Sequence, residues 1–304
     1  MKLMKSFPGG TLLVPIFISA LITTFVPDLF KIGGLTESIF SGVSMNFLLA
    51  SAVFLSGTLL NFSVLGHVIK RYGLLILTRL IFNTVFGVIF AKFFGLAGIF
   101  GISSISFIVC LTSLNPTIFL AIVNDYGDET DKAAFGILSL VASPVIPMFI
   151  YGLTSPTDLD LMPIISTMIP LGVGVLIGNL DKELADFLGS GMSYIIFFLG
   201  WTVGASINLL DAFSAGLSGL VMIIFYYLIS FVPLFIIERF FMKRKGVSAI
   251  AMSTLAGVSA SVPMLMAGSN PELAPYAGSA AAIVSLCVVL SAIISPSLAK
   301  KLHK

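Results

Sequence analysis

The chain has 304 residues, of which 58% are hydrophobic and only 10% are charged, and its formal net charge is +2. With a mean hydropathy of +1.11, this composition excludes an ordinary soluble globular domain and indicates an integral membrane protein. The charged residues cluster between apolar runs, which favours membrane topology over nucleic-acid binding as the origin of the small basic excess.

Ten apolar runs follow one another along the chain. A helix that crosses the hydrocarbon core needs roughly 17 to 25 mainly apolar residues, and each run is about that long. The sequence therefore predicts an all-α integral membrane protein with ten transmembrane helices. They cover residues 10–26, 43–62, 73–95, 101–123, 133–154, 162–179, 187–209, 217–242, 247–268 and 276–298.

The basic residues orient these helices. With ten spans both termini lie on one side of the membrane, and that side carries nearly all the Lys and Arg residues, whereas the other carries only Lys31 and Lys92. Because Lys and Arg accumulate in cytoplasmic loops, both termini are predicted to be cytoplasmic. The predicted location is the inner (plasma) membrane, crossed many times.

The second half of the chain repeats the first at an offset of 147 residues. Pro116 recurs as Pro263, and residues 40–62 align with 187–209, including Asn61 with Asn208. The first repeat is predicted to cover residues 1–154 and the second residues 155–304. Five spans per repeat is an odd number, so the second copy enters the membrane from the opposite face. Inverted repeats of this kind are typical of secondary transporters.

The fourth and ninth predicted spans each contain a proline, Pro116 and Pro263, surrounded by polar residues. A proline inside a helix removes one backbone donor and frees a carbonyl, and such groups survive in a membrane only where protein or a watery cavity satisfies them. A pair of merely kinked helices is the alternative, but the recurrence at equivalent positions favours a binding site. The candidates for substrate or ion contact are Asn115, Thr112, Ser113, Ser259 and Ser261.

Several further residues are weaker candidates. Asn61 and Asn208, with Ser206 just before the latter, are either contacts for the substrate or polar links between helices, and both interpretations stay open. Arg79 is the only clear ionisable residue inside a span; we expect it to reach back to the cytoplasmic surface, in preference to pairing with a substrate carboxylate.

Carboxylates are absent from the middle of every predicted span. Those at 125–131, including Asp128 and Asp131, are predicted to form a solvated loop, so a proton has no obvious carrier. Neutral oxygens of Thr112, Ser113, Ser259 and Ser261, with freed carbonyls, suit a sodium ion instead.

Enzymatic chemistry has no motif in this chain. The two cysteines and two histidines are too scattered for a metal site, and no nucleophile triad or Walker loop occurs. The glycines at 172, 174 and 178 are predicted to allow close helix packing rather than phosphate binding. No cofactor is expected beyond a coupling cation, either a proton or sodium.

Four groups of residues carry a family resemblance. Residues 7–10 read Phe-Pro-Gly-Gly and lead into Leu-Val-Pro at 13–15, and residues 178–181 read Gly-Asn-Leu-Asp. Asn115 is followed by Asp-Tyr-Gly at 125–127, and Ala-Gly at 256–257 precedes Pro263. Over nearly its whole length the chain resembles the bacterial 2-keto-3-deoxygluconate permeases.

This resemblance implies uptake of a sugar-acid monocarboxylate by cation symport, usually with protons. It also implies the fold of the bile-acid sodium symporters, in which two inverted five-helix repeats intertwine into a panel and a core domain. In that fold the fourth and ninth helices are discontinuous and cross at their breaks. The chain departs from the family at four positions where the resemblance implies charged residues, at Thr112, at Val141, and near Asn61 and Asn208.

The sequence thus predicts a secondary active transporter that imports 2-keto-3-deoxygluconate or a similar small sugar acid by symport, with the proton as the first candidate for the cation. A sodium-coupled transporter of another organic anion with the same fold is the alternative. A channel-like protein without coupled transport is a third possibility. The expected partners are the small organic anion and the lipid bilayer, not nucleic acid, and the oligomeric state is open.

Overall fold

A computed structural model describes residues 10–58, 62–142, 145–154, 162–205 and 207–303. Within these residues every element of regular structure is helical, and a single isolated backbone bridge joins Ile99 and Ile102. The predicted all-α class is therefore confirmed for the described part of the chain.

The first half of the chain contains eight helices among the described residues. A short 3-10 turn at Gly42–Ser44 separates the second from the third. The helices are α1 (Gly10–Phe25), α2 (Gly34–Phe40), α3 (Met45–Thr58), α4 (Phe62–Phe94), α5 (Ser104–Thr112), α6 (Pro116–Tyr126), α7 (Glu129–Val141) and α8 (Val145–Gly152).

The second half contains another eight. They are α9 (Met162–Leu180), α10 (Lys182–Gly189), α11 (Met192–Gly204), α12 (Leu209–Ser214), α13 (Gly216–Phe241), α14 (Val247–Ala251), α15 (Val262–Ser269) and α16 (Ala274–His303). Helix α13 includes two π-helical turns, Tyr227–Phe231 and Ile237–Phe241, and 3-10 turns precede α15 and α16. Pro233 follows the first π turn, at a point where its missing N–H interrupts the regular hydrogen-bond ladder.

Four stretches of the described residues are long and apolar enough to cross a membrane: Gly66–Phe94, Ser104–Tyr126, Gly216–Phe241 and Pro271–His303. The number is six if two bent pairs each form one span, α2 with α3 at 69° and α10 with α11 at 46°. Shorter apolar helices occur in α1 and α9. The chain is thus an all-helical, multi-pass membrane protein.

One boundary differs clearly from its prediction. The third span was expected at 73–95, but α4 begins at Phe62. Hydropathy marks only the part of a helix that suits lipid, and no proline interrupts residues 62–72. The helix therefore continues through the polar residues His67, Lys70 and Arg71 beyond the apolar run.

The helices pack in two groups, and close glycine contacts hold the first group together. Helix α3 packs on α9, and α1 packs on α11. An ideal Cβ on Gly174 would lie 2.2 Å from the Phe54 carbonyl oxygen, and one on Gly204 would lie 2.2 Å from that of Ile16. Close packing was predicted for the glycines of α9; it is confirmed for Gly174 and Gly178, but Gly172 faces open space. We call α1–α3 with α9–α11 the first body.

The second body comprises α4–α8 and α12–α16. Its centre is the continuous segment 102–123, every residue of which is buried. Helix α16 packs along α5, α6, α13, α14 and α15. Hydropathy alone does not decide whether such a segment lies against lipid or inside protein. Here it lies inside protein, together with its serines, threonines and Asn115. The breaks between α5 and α6 and between α14 and α15 both lie in this body.

Candidate functional site

The first break separates α5 from α6. Helix α5 ends at Thr112, residues 113–115 are extended, and α6 begins at Pro116. The Asn115 Oδ1 atom accepts the N–H groups of Thr117 at 3.0 Å and Ile118 at 3.1 Å, which caps the new helix. Proline suits the first helical position because the N–H there has no partner within the helix. Pro116 therefore starts a helix rather than kinking one, in agreement with the predicted discontinuity.

The second break separates α14 from α15. Helix α14 ends at Ala251, and a 3-10 turn at Gly257–Ser261 leads into α15, whose second residue is Pro263. The intervening residues include Ser253 and Thr254, both fully buried.

The two breaks bind each other through backbone and side chains. The Asn115 N–H donates to the Thr254 carbonyl at 2.9 Å, and Asn115 Nδ2 donates to the Leu255 carbonyl at 3.2 Å. The Ala256 N–H donates to Ser113 Oγ at 2.9 Å. Each break thus satisfies part of the backbone that the other leaves unpaired, which is how unwound segments persist without water.

Ser113 and Ser259 meet at this junction. Their hydroxyl oxygens share a hydrogen bond of 2.7 Å, and both residues are buried. Two of the four oxygens predicted to suit a sodium ion are therefore adjacent. The Thr112 hydroxyl instead donates to the carbonyls of its own helix, Ile108 at 2.7 Å and Val109 at 3.3 Å, as threonine commonly does in helices. The side chain of Ser261 lies outside the described part of the structure.

Arg79 is placed differently from its prediction. Its exposed fraction is 1%, so the expectation that it reaches the cytoplasmic surface is wrong. Its guanidinium donates to the carbonyls of Ser113 at 2.6 Å, Leu111 at 3.2 Å and Met252 at 3.0 Å. These carbonyls lie at the C-terminal ends of α5 and α14, where helical partners run out and the helix dipole is negative, so they attract a cation more strongly than the distant surface does.

Sequence reasoning missed the partners of Arg79. The Tyr226 hydroxyl lies 3.4 Å from its guanidinium, and Asn83 Nδ2 donates to the Leu111 carbonyl at 2.7 Å. Ser230 Oγ donates to Asn83 Oδ1 at 3.1 Å. A signal was present: residues 79 and 83 are one turn apart in α4, and residues 226 and 230 are one turn apart in α13, so each pair forms a polar stripe on an apolar helix.

The described contacts do not bring the weaker candidates Asn61, Asn208 and Ser206 to this junction. Asn61 and Ser206 lie outside the described residues. Asn208 is exposed, and its Oδ1 accepts the Leu210 N–H at 2.9 Å at the start of α12.

A cleft lies between the two bodies beside Asn115. Apart from Asn115 its lining is apolar. It comprises Ile16, Phe17 and Ala20 of α1, Ile118 of α6, Ile207 and Leu209 near α12, and Val288, Val289 and Ala292 of α16. The junction of the two breaks therefore borders a small space between the bodies through Asn115.

A second polar cluster corrects another prediction. Asp131 was expected in a solvated loop, but only 3% of it is exposed. Its Oδ1 accepts from Arg71 at 2.8 Å, from the Tyr72 hydroxyl at 2.8 Å and from Arg244 at 3.4 Å. Neighbouring Asp125, Asp128 and Glu129 are exposed as predicted. Asp131 differs because it is close to the start of α7 and faces basic residues of α4 and of the segment after α13.

Two other carboxylates belong to this cluster. Partial burial tends to raise the pKa of Asp128, but the Arg71 guanidinium at 2.7 Å and the Asp131 N–H hold that pKa below its usual value. Glu238, buried near the end of α13, accepts the N–H groups of Ser248 at 3.2 Å and Ala249 at 2.5 Å. The cluster fixes the start of α14, since a carboxylate there satisfies otherwise unpaired donors. Among the described residues, no group of three or more His, Cys, Asp or Glu is arranged to hold a metal ion.

These features define a class of protein: an all-helical, multi-pass membrane protein whose buried centre is a junction of two broken helices. Comparison with known families makes the assignment specific. The chain matches the 2-keto-3-deoxygluconate permease family over residues 1–304 and belongs to that family. The resemblance drawn from its motifs is confirmed, and the family is one of permeases, not enzymes.

Individual relatives are similar over nearly their whole lengths. The 2-keto-3-deoxygluconate permease 1 of Salmonella typhimurium is 31% identical over 299 residues, which cover 98% of this chain and 93% of the relative. The 2-keto-3-deoxygluconate permease of Bacillus subtilis is 29% identical over 295 residues, covering 95% and 89%. That of Xanthomonas euvesicatoria is 27% identical over 300 residues, covering 97% and 94%.

Proposed function

We propose that the protein is a secondary active transporter that imports 2-keto-3-deoxygluconate, or a similar small sugar acid, across the plasma membrane by cation symport. The observation that carries the proposal is the full-length match to the permease family in a chain whose two broken helices meet beside a cleft. Broken helices near the membrane midplane are where secondary transporters bind substrates and coupling ions.

The proposed architecture is ten spans in two inverted repeats, residues 1–154 and 155–304, with both termini cytoplasmic. Contacts between residues 147 positions apart support it, because residues near a pseudo-twofold axis meet their own counterparts. Arg79 contacts Tyr226 at 3.4 Å, and Asn83 contacts Ser230 at 3.1 Å. The packing of the first predicted span on the seventh, α1 on α11, is mirrored by that of the sixth on the second, α9 on α3.

In this proposal the two bodies correspond to the panel and the core and move relative to each other during transport. The substrate would enter the cleft beside Asn115 and contact the junction. There the hydroxyl groups of Ser113 and Ser259 would bind the substrate or the coupling ion. Asn208, Asn61 and Ser206 would be secondary contacts or gate elements. An apolar cleft wall supports such motion, because apolar surfaces can slide without leaving buried polar groups unpaired.

The coupling ion is the finer part of the proposal. A proton is our first candidate because it is the usual cation for the family the chain belongs to. The adjacent Ser113 and Ser259 oxygens favour the second candidate, sodium, for which a related organic anion would be the substrate.

Uptake by purified protein in proteoliposomes tests the proposal. Labelled 2-keto-3-deoxygluconate should accumulate, saturate and exchange with unlabelled substrate, whereas a channel would give flux without saturation or counterflow. Proton and sodium gradients are imposed separately. Uptake driven by a proton gradient alone would sink the sodium version, and absence of any saturable uptake would sink the proposed substrate class.

A further inference from the structure

Arg79 joins the two broken helices. Through the Leu111 and Ser113 carbonyls it holds the end of α5, and through the Met252 carbonyl it holds the residue that follows α14. It does so from α4, which belongs to neither break. Its ring contact with Tyr226, 5.8 Å from the guanidinium carbon to the ring centroid, adds a cation–π interaction from α13.

The charge balance at this point explains why a cation is needed. Each helix C-terminus carries about half a negative charge, and two such ends converge here in a buried, low-dielectric environment. Without a cation between them, these ends would repel each other, and the three carbonyls would lose a charged donor. In broken-helix transporters, unwound carbonyls of this kind are the usual ligands for a transported cation.

The described ion pairs give Arg79 no carboxylate partner. Each of them involves one of Lys31, Arg71, Lys132 or Arg244. Its positive charge is therefore balanced by the backbone of the two helix ends and not by an acidic side chain. The planar guanidinium suits this role better than an ammonium, since its fork of donors reaches several carbonyls at once.

We propose that Arg79 is the resident cation of the helix junction. It occupies the carbonyls of Leu111, Ser113 and Met252 that would otherwise take a coupling cation, and it holds the two broken helices together as one unit. Among the described residues, the adjacent Ser113 and Ser259 hydroxyls are then the pair that we expect a transported cation to use. Arg79 is a positioning residue: its terminal nitrogens are committed to backbone and act on the substrate through the junction. Only the transport readout of this inference rests on the proposed function.

Replacing Arg79 by alanine and adding guanidinium ion tests the inference without substrate. Arg79→Ala leaves a guanidinium-sized space facing the three carbonyls. Millimolar guanidinium chloride should raise the thermal unfolding midpoint of purified Arg79→Ala above its value in equimolar potassium chloride. The wild type, whose space is filled, should show no such rise. Thr78→Val is the matched control, because the Thr78 hydroxyl bonds only the Leu74 carbonyl of its own helix.

A second pair of variants decides the question where Arg79→Ala does not fold. Arg79→Lys keeps the charge, and Arg79→Gln keeps donors but loses the charge. The inference predicts the highest unfolding midpoint for the wild type, a lower one for Arg79→Lys and the lowest for Arg79→Gln. Equal losses in the Lys and Gln variants would mean that packing alone matters, and they would overturn the inference. Rescue of Arg79→Ala by potassium as well as by guanidinium would do the same.

Transport gives the last readout. Because Arg79→Gln loses the charge-assisted hydrogen bonds to the three carbonyls, its uptake should fall by about tenfold or more. Uptake by Arg79→Ala should be restored by guanidinium. Unchanged uptake in Arg79→Gln refutes the inference. Failure of the wild type to take up 2-keto-3-deoxygluconate counts against the proposed function alone, since the guanidinium-dependent midpoint still decides the role of Arg79.

Discussion

Substituting Gly174 by alanine tests the contact that holds the first body together. Gly174 of α9 faces the backbone of α3, and an ideal Cβ there would lie 2.2 Å from the Phe54 carbonyl oxygen and 3.0 Å from the Gly57 Cα. Those neighbours are backbone atoms, so no side chain can rotate away to make room. Two helices in a membrane approach this closely only where small residues face each other.

The size of the effect follows from these distances. A carbon and an oxygen atom need about 1 Å more than this separation, so α3 and α9 must move apart or bend, and overpacking of this kind costs about 1–3 kcal/mol. Alanine is favoured over glycine in a helix by about 1 kcal/mol, which offsets part of that cost. We expect Gly174→Ala to lose up to about 2 kcal/mol of stability, with alanine's own preference already subtracted.

Gly172 supplies the matched control on the same helix. It is exposed, and nothing lies within 4 Å of its would-be Cβ. Gly172→Ala should therefore be neutral or slightly stabilising, opposite in sign to Gly174→Ala. The measurement is the thermal unfolding midpoint of both purified variants in one detergent, followed by loss of the monodisperse peak. Equal midpoints for the two variants would refute the close approach of α3 and α9.

Three further predictions concern the polar clusters. Asp131→Asn should lower the unfolding midpoint, because it removes the buried carboxylate that accepts from Arg71 and the Tyr72 hydroxyl. Arg71 keeps its pair with Asp128, so the expected loss is that of charge-assisted hydrogen bonds, about 1–3 kcal/mol; a wild-type midpoint would show that the Asp131 charge contributes nothing. Ser113→Ala should reduce uptake, and it should lower the free energy of unfolding by about 1–3 kcal/mol because the buried Ala256 N–H loses its acceptor. Thr112→Val should retain uptake, since the Thr112 hydroxyl bonds only within its own helix. Equal uptake by the two variants is the contrary result. The pKa of Asp128 is depressed, so its ionised carboxylate contributes to folding stability above the usual pKa of 3.8, and this contribution is lost as pH falls through the lower pKa of the folded state. The unfolding midpoints of wild type and Asp128→Asn should therefore converge at acid pH. A difference that stays constant with pH contradicts this prediction.

Composition and local pattern account for part of this molecule. The all-helical membrane class follows from hydropathy, and the break at Pro116 follows from a proline surrounded by polar residues in an apolar run. The close approach at Gly174 and Gly178 follows from small residues at helical spacing. These features depend on neighbours in sequence, so the sequence holds the information directly.

Arg79 and Asp131 could not be placed in the same way. From hydropathy alone, a charged side chain in an apolar helix is expected to reach the nearest water. Arg79 instead donates to the carbonyls of Leu111 and Met252, which are 32 and 173 residues away along the chain. Those carbonyls become available only because two other helices end at that depth. A buried charge is thus predicted only after the breaks and their meeting point are known.

The inverted arrangement that we propose also accounts for the residues at the junction that do not match between the repeats. In the proposed inverted arrangement, a residue near the pseudo-twofold axis contacts its own counterpart 147 positions away, as Arg79 contacts Tyr226. Identical residues there would place two buried arginines against each other, at a cost of several kcal/mol per uncompensated charge. Position 79 therefore has to differ from its counterpart, and Arg79 faces a tyrosine; Asn83 likewise faces a serine. Residue matching identifies Pro116 and Pro263, which lie off this contact, and does not mark the positions where the repeats meet, because the residues there are different.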